Sequence, residues 1–168
     1  MKIAITGPES SGKTTLANLL SQKLRAPMVE EFARHYLETF GPEYTEEDLE
    51  TMLIGHQNAI EEQDAPVIIV DTDYLVFKIW SEVKYGKASL TINQLVSENH
   101  FELHILCAPD IPWESDPLRE SENERDQLFV RYVSELERYK KEYIIVYGSL
   151  EERLKKSVNA IQHLSLKP

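Results

Sequence analysis

Residues 7–14 read GPESSGKT, and no other string constrains the fold of this chain as strongly. The string fits the pattern G-x-x-x-x-G-K-[ST] in full, which is the signature of a phosphate-binding P-loop. An apolar run at residues 2–6 precedes it, and leucines at helical spacing follow it. This order predicts a strand, a loop and a helix, which is the context that the P-loop requires.

A P-loop binds phosphate through converging loop amides and the positive end of the following helix. Lys13 is expected to reach the β and γ phosphates, and the Thr14 hydroxyl to ligate Mg²⁺. We therefore expect ATP and Mg²⁺ as cofactors. The predicted nucleotide-binding residues are Gly7, Glu9, Ser10, Ser11, Gly12, Lys13, Thr14 and Thr15.

Five short apolar segments alternate with helical patterns along the rest of the chain. The expected strands are residues 2–6, 27–30, 67–70, 101–107 and 143–146. Helix starts are predicted by capping boxes at Thr45, Thr91, Ser121 and Ser149. Parallel strands need crossover helices, so the pattern predicts an α/β fold of the P-loop NTPase type. We expect three α/β/α layers, a five-stranded parallel sheet and a small helical lid, in one domain over residues 1–168.

Composition excludes several classes of protein. Lys and Arg total 18 against 29 Asp and Glu, so the net charge is -11, which disfavours nucleic acid as a partner. Cys107 is the only cysteine, so neither a disulfide framework nor a zinc site of several thiolates is expected. No uncharged stretch approaches the ~18 residues of a membrane span, and residues 1–2 lead directly into a strand rather than a signal peptide. We expect a soluble, cytoplasmic protein.

Two acids follow the third predicted strand. Asp71 ends the apolar run 67–70 and has the form of a Walker B carboxylate, which holds Mg²⁺. If the backbone stays extended, Asp71 and Asp73 project to the same side and divide metal and acceptor duties. Alternatively, Asp73 caps the helix that begins at Tyr74.

Glu31 ends the second strand at the same edge of the sheet. It is the preferred candidate to orient an acceptor hydroxyl or take its proton, although Asp73 stays open as the base. Arg34, one turn later, would either touch phosphate or pair with Glu31 on the surface.

A proline-broken stretch, residues 108–120, is expected to form the lid. Arg119 in this stretch and Arg125 just after it are candidate catalytic residues, because phosphoryl transfer needs cations that neutralise developing charge. Asp116 would bind either a substrate hydroxyl or a lid arginine. Gly55 and His56 fit a helix-packing glycine beside a polar face.

Several of these strings together resemble one family. They are GPESSGKT, residues 31–34 (EFAR), residues 55–57 (GHQ), residues 71–73 (DTD) and residues 118–119 (LR). In this order they resemble the ribosylnicotinamide kinase domain of the NadR family over nearly the whole chain.

The resemblance implies transfer of the ATP γ-phosphoryl to the 5'-hydroxyl of nicotinamide riboside, a small-molecule acceptor. By the same resemblance, Lys13 and Thr14 serve phosphate and metal, Asp71 and Asp73 serve metal and acceptor, and Arg119 and Arg125 belong to the lid. Full-length members of the family add a DNA-binding helical segment and an adenylyltransferase domain before the kinase. Because this sequence starts at the P-loop strand and contains no H-x-G-H string, we expect neither operator binding nor adenylyl transfer.

Two alternatives stay open. The donor motifs do not specify the acceptor, so a kinase for another nucleoside or small acceptor is the first alternative. A nucleotide-dependent regulatory module is the second alternative. Residues 30–64 contain eleven acids against Arg34 alone, which suits a cationic or neutral acceptor but is also typical of a solvated helix surface.

Overall fold

The computed structural model describes residues 1–98, 100–118 and 122–166. The strands of these residues are β1 Lys2–Thr6, β2 Met28–Val29, β3 Ile68–Asp71, β4 Leu103–Cys107 and β5 Tyr143–Val146. The helices are α1 Lys13–Leu24, α2 Phe32–Phe40, α3 Glu46–Glu61, α4 Tyr74–Tyr85, α5 Leu90–Ser97, α6 Arg125–Arg138 and α7 Leu150–Ser165. The predicted alternation of strands and helices is confirmed.

The five strands form one parallel sheet in the order β2-β3-β1-β4-β5. β1 lies in the middle, with Ile3 opposite Ile69 of β3 and Leu103 of β4. All residues of β3 and β4 are buried, as expected for a parallel sheet covered on both faces. The carboxyl ends of β1, β3 and β4 therefore meet at one edge, where the P-loop begins.

Side chains alternate between two apolar layers. Ile3 and Ile5 face the layer that contains α1 and α7, whereas Ala4 faces the layer built from α2 to α6. This alternation follows from the period of two along a strand, and it produces the predicted three-layer α/β/α arrangement.

Capping explains most helix starts. Reciprocal capping boxes join Thr45 to Asp48 and Ser149 to Glu152, as predicted. The predicted start at Thr91 is wrong, because Ser89 caps α5 by accepting a hydrogen bond from the Ile92 amide at 3.3 Å. Ser121 lies outside the described residues. In the described part of the chain, no helix has the length and apolar character needed to cross a bilayer.

Candidate active site

The P-loop follows β1 and turns sharply against the end of β4. Gly7 has φ 137°, and a Cβ at this position would lie 2.7 Å from the Cys107 carbonyl oxygen, so only glycine fits. Ser11 Oγ and Lys13 Nζ both donate hydrogen bonds to the Pro8 carbonyl oxygen, at 2.7 and 2.9 Å. The loop therefore folds around its own backbone, with the lysine amine held over it.

Asp71 lies at the end of β3, beside the P-loop. Its side chain is buried, and Oδ1 has no hydrogen-bond partner among the described residues. Burial raises the pKa of this carboxyl, while a hydrogen bond to the Thr14 side chain and the charge of Lys13 oppose the rise. The structure thus brings the two predicted metal ligands, Thr14 and Asp71, together.

The side chain of Asp73 does not face the P-loop beside Asp71 but lies at the start of α4. It caps α4 by accepting a hydrogen bond from the Val76 amide at 3.2 Å, and its Oδ1 also accepts from the Thr6 hydroxyl at 2.9 Å. Its second oxygen lies 3.4 Å from His104 Nε2, and the side chain is buried. The expectation that Asp71 and Asp73 share one side, which required an extended backbone, was wrong, and the alternative that Asp73 caps the helix beginning at Tyr74 is confirmed.

Thr72 is the physical reason for this difference. Its φ is 83°, a conformation that is rare for a β-branched residue and that interrupts the extended alternation. Two contacts hold it there: its amide donates to the Ile5 carbonyl at 3.0 Å, and its carbonyl accepts from His56 Nε2 at 2.9 Å. His56 is completely buried, and burial lowers its pKa, so the ring is neutral.

Gly55 allows α3 to lie close to the start of α2. A Cβ on Gly55 would lie 2.3, 2.4 and 2.8 Å from three ring carbons of Phe32. The interpretation of Gly55 as a helix-packing glycine therefore fits the structure. Phe32 directly follows Glu31, so this contact also supports the position of the candidate base.

One cleft extends from the P-loop toward α2 and α4. Glu31 lies in the wall of this cleft, and burial raises its pKa, an effect that the charge of Lys13 partly offsets. Lys13 and Glu31 thus line the same cleft, as predicted. Apart from the P-loop, its lining consists of Thr15, Glu31, Arg34, Leu37, Val76, Trp80, Ile111, Glu114, Leu118 and Tyr132.

The segment between β4 and α6 packs against the P-loop. Arg125 Nη1 donates hydrogen bonds to the carbonyl oxygens of Ser10 at 3.1 Å and Ile111 at 3.0 Å. The Glu114 amide donates to Ser10 Oγ at 2.9 Å. The structure therefore brings Arg125 to the phosphate loop, while the other predicted lid residue, Arg119, lies outside the described residues.

Arg34 joins the acceptor side of the cleft to the lid segment. Its Nη2 lies 2.6 Å from Asp116 Oδ2, and its Nε lies 3.1 Å from Glu38 Oε1. Asp116 raises the pKa of Arg34 further. The carboxylates that Arg34 contacts are therefore Asp116 and Glu38, where the sequence suggested either Glu31 or a phosphate, and Arg34 is one partner of Asp116.

Comparison with known protein families identifies the chain. A family profile described as an AAA domain matches residues 2–153. The chain belongs to this family.

The chain is similar in sequence to a protein of NAD biosynthesis and to a nucleoside kinase. The trifunctional NAD biosynthesis/regulator protein NadR of Salmonella typhimurium is 29% identical over 126 residues, which are 70% of this chain and 30% of NadR. Deoxyguanosine kinase of Bacillus subtilis is 32% identical over 119 residues, which are 66% of this chain and 55% of that enzyme. The chain thus spans about a third of the length of NadR and about half that of the deoxyguanosine kinase.

A solved structure of a NadR protein in complex with NR superposes on this fold with a TM-score of 0.76. The sequence identity is 20%, and the superposition covers 96% of this chain and 50% of the other. The predicted P-loop fold and the resemblance to NadR are both confirmed.

Two aromatic residues of the cleft were missed by sequence reasoning. Both lie among apolar side chains at helical spacing, a pattern that is typical of core packing residues. Tyr132 is almost fully buried, and burial holds its pKa well above the ordinary value. The sequence contains a weak signal that Trp80 lines the cleft: Val76, which also lines it, lies one helical turn earlier, so both side chains are on the same face of α4.

Proposed function

We propose that this chain is a kinase that transfers the γ-phosphoryl group of ATP to the 5'-hydroxyl of nicotinamide riboside. The observation that carries the proposal is the single cleft in which the P-loop, Glu31 and an apolar, aromatic wall meet. A donor site and an acceptor site in one cleft are what direct phosphoryl transfer requires. The similarity to NadR, a protein of NAD biosynthesis with a solved structure in complex with NR, supports nicotinamide riboside as the acceptor.

The donor side fits a nucleotide with a divalent cation. Mg²⁺ prefers oxygen ligands, and Asp71 Oδ1 is buried without a partner in the described chain, next to the Thr14 hydroxyl. Asp71 and Thr14 would hold the ion, which when bound neutralises phosphate charge. The described residues contain no group of three His, Cys, Asp or Glu side chains placed to bind a metal, so phosphate and water oxygens would supply the other ligands.

The acceptor side fits a hydroxyl group that must lose a proton. Glu31 would accept the 5'-hydroxyl proton as the new O–P bond forms and the bond from the γ-phosphorus to the β-γ bridging oxygen breaks, releasing ADP. Its raised pKa suits this role, because a base works best with a pKa nearer the working pH. Lys13 and Arg125 would compensate charge on the transferred group.

The aromatic wall favours a second candidate substrate class. Trp80, which is half-buried in the lining of the cleft, offers ring surface to any planar base, and the similarity to deoxyguanosine kinase adds purine nucleosides to the candidates. Both alternatives use the same donor site and the same base.

The test is ADP release by the purified chain with Mg-ATP and each of a panel of nucleosides, with chromatographic identification of the product. The proposal expects nicotinamide riboside to give the highest kcat/KM and to yield nicotinamide mononucleotide. A higher kcat/KM for deoxyguanosine would move the assignment to a nucleoside kinase. If no acceptor accelerates ADP release above slow hydrolysis, the kinase proposal is wrong and a regulatory module becomes the better hypothesis.

Two variants assign the activity to the cleft. Lys13→Ala should lower kcat by about 100-fold or more, because it removes the charge aimed at the transferred phosphoryl group. Lys23→Ala removes an exposed lysine at the far end of the same helix and should leave kcat unchanged. Equal turnover by Lys13→Ala and the wild type, with both folded by circular dichroism, would contradict the assignment.

A further inference from the structure

Arg153 of α7 lies directly behind the phosphate-binding loop. Although α7 is the last helix, this side chain is 3% exposed and contacts three separate turns of the chain. Nη1 donates to the Ser11 carbonyl at 2.7 Å, Nη2 to the Ala108 carbonyl at 3.1 Å, and Nε to the Gly148 carbonyl at 3.0 Å. A single guanidinium thus ties the P-loop to the ends of β4 and β5.

Asp110 completes this cluster. Its Oδ1 forms an ion pair with Arg153 Nη2, and its Oδ2 accepts a hydrogen bond from the Gly148 amide at 2.6 Å. The carboxylate therefore balances a buried charge that would otherwise be costly. Asp110 also lies at the start of the segment whose residues Ile111 and Glu114 meet the P-loop region, so the pair joins this segment to the phosphate-binding loop.

The bond to Ser11 has a consequence for phosphate binding. In a planar trans peptide, the carbonyl and the following amide point in opposite directions. Holding the Ser11 carbonyl against Arg153 therefore directs the Gly12 amide away from α7, toward the cleft that Gly12 lines. A Cβ on Gly12 would lie 3.7 Å from Arg153 Nη1, so the guanidinium is in immediate contact with this turn.

We propose that Arg153 is a positioning residue for nucleotide binding, which fixes the Ser11–Gly12 peptide so that its amide can donate to a phosphate oxygen. The inference rests on the nucleotide-binding part of the proposed function and not on the identity of the acceptor. Lysine cannot replace arginine here, because a single ammonium lacks the planar fork that reaches several acceptors at once.

The experiment measures the Kd for ADP by isothermal titration calorimetry in the wild type, Arg153→Lys and Asp110→Asn. Arg153→Lys should raise the Kd by about tenfold or more, as loss of a residue that orients a binding group does. Asp110→Asn, at a side chain that is 39% exposed, should raise it by a smaller factor. Arg138→Lys makes the same exchange at a side chain that is 65% exposed and should bind ADP like the wild type.

A KM comparison separates positioning from a general loss of structure. Arg153→Lys should raise the KM for ATP and leave the KM for the acceptor unchanged, whereas partial unfolding would affect both. If Arg153→Lys does not fold, Asp110→Asn decides the question by the same measurement. Folded variants with the wild-type Kd for ADP would overturn this inference alone, and a wild type that binds no ADP would overturn both this inference and the proposed function.

Discussion

Gly55→Ala tests the packing that supports Glu31, independently of any activity. Two opposing effects decide the result. Alanine is better than glycine in a helix by about 1 kcal/mol. Against this, the new Cβ would lie 2.3–2.8 Å from three ring carbons of Phe32, far inside the contact distance of about 3.5–4.0 Å. Overpacking of this kind costs about 1–3 kcal/mol.

We therefore expect Gly55→Ala to lower the free energy of unfolding by up to about 2 kcal/mol in the wild-type background. In a Phe32→Leu background the three contacted carbons are absent, because leucine ends at Cδ. There the same substitution should raise the free energy of unfolding by about 1 kcal/mol, since the helix propensity remains. Urea unfolding of the four chains measures both effects.

The double-mutant cycle should thus give a coupling free energy of about 1–3 kcal/mol. The same effect of Gly55→Ala in both backgrounds would refute the argument that Phe32 is what excludes a side chain at position 55. Because Phe32 follows Glu31 directly, Gly55→Ala should also reduce kinase activity. Adding Phe32→Leu should recover the free energy of unfolding by a larger fraction than it recovers the kinase activity.

Two further predictions concern buried charges. Lys78 of α4 is 1% exposed and pairs with Glu82 of the same helix at 2.6 Å and with Glu135 of α6 at 2.8 Å. Lys78→Met should therefore lower the free energy of unfolding, measured by urea titration, by about 3–5 kcal/mol. A loss below about 1 kcal/mol would contradict a buried ion-pair network. Burial raises the pKa of Glu31, so its contribution to stability is present below the usual carboxyl range and is lost as pH rises through the raised value. The free energy of unfolding of the wild type relative to Glu31→Gln should accordingly fall between acidic and neutral pH, and a difference independent of pH would contradict the raised pKa.

Local signals in the sequence determined the P-loop, the order of the elements and two capping boxes. Each of these features depends on residues that are neighbours in the chain, so the amino-acid sequence is sufficient to predict it. GPESSGKT at residues 7–14 encodes its own backbone turn, and Thr45 and Ser149 reach amides three residues away. Glu31 and Asp71 were predicted at the active edge because the carboxyl ends of parallel strands meet there.

Tertiary structure decided which side chains face the cleft. The positive φ of Thr72 turns Asp73 away from Asp71. The local sequence left two orientations of Asp73 open, and contacts of Thr72 with Ile5 and His56, both distant in the chain, decide between them. Trp80 and Tyr132 look like ordinary core residues in their own helices, and only the packing of α4 and α6 brings them to one wall.

Arg153 shows most clearly that long-range contacts cannot be predicted from sequence patterns. In sequence it is one charged residue in an amphipathic helix, but its contact with Ser11 joins residues 142 positions apart. Helical periodicity reports which face a residue occupies, not which distant backbone carbonyl it will meet. That contact exists because the sheet order places β4 beside β1 and β5 beside β4, so that α7 packs against α1, and sequence patterns alone do not specify such an order.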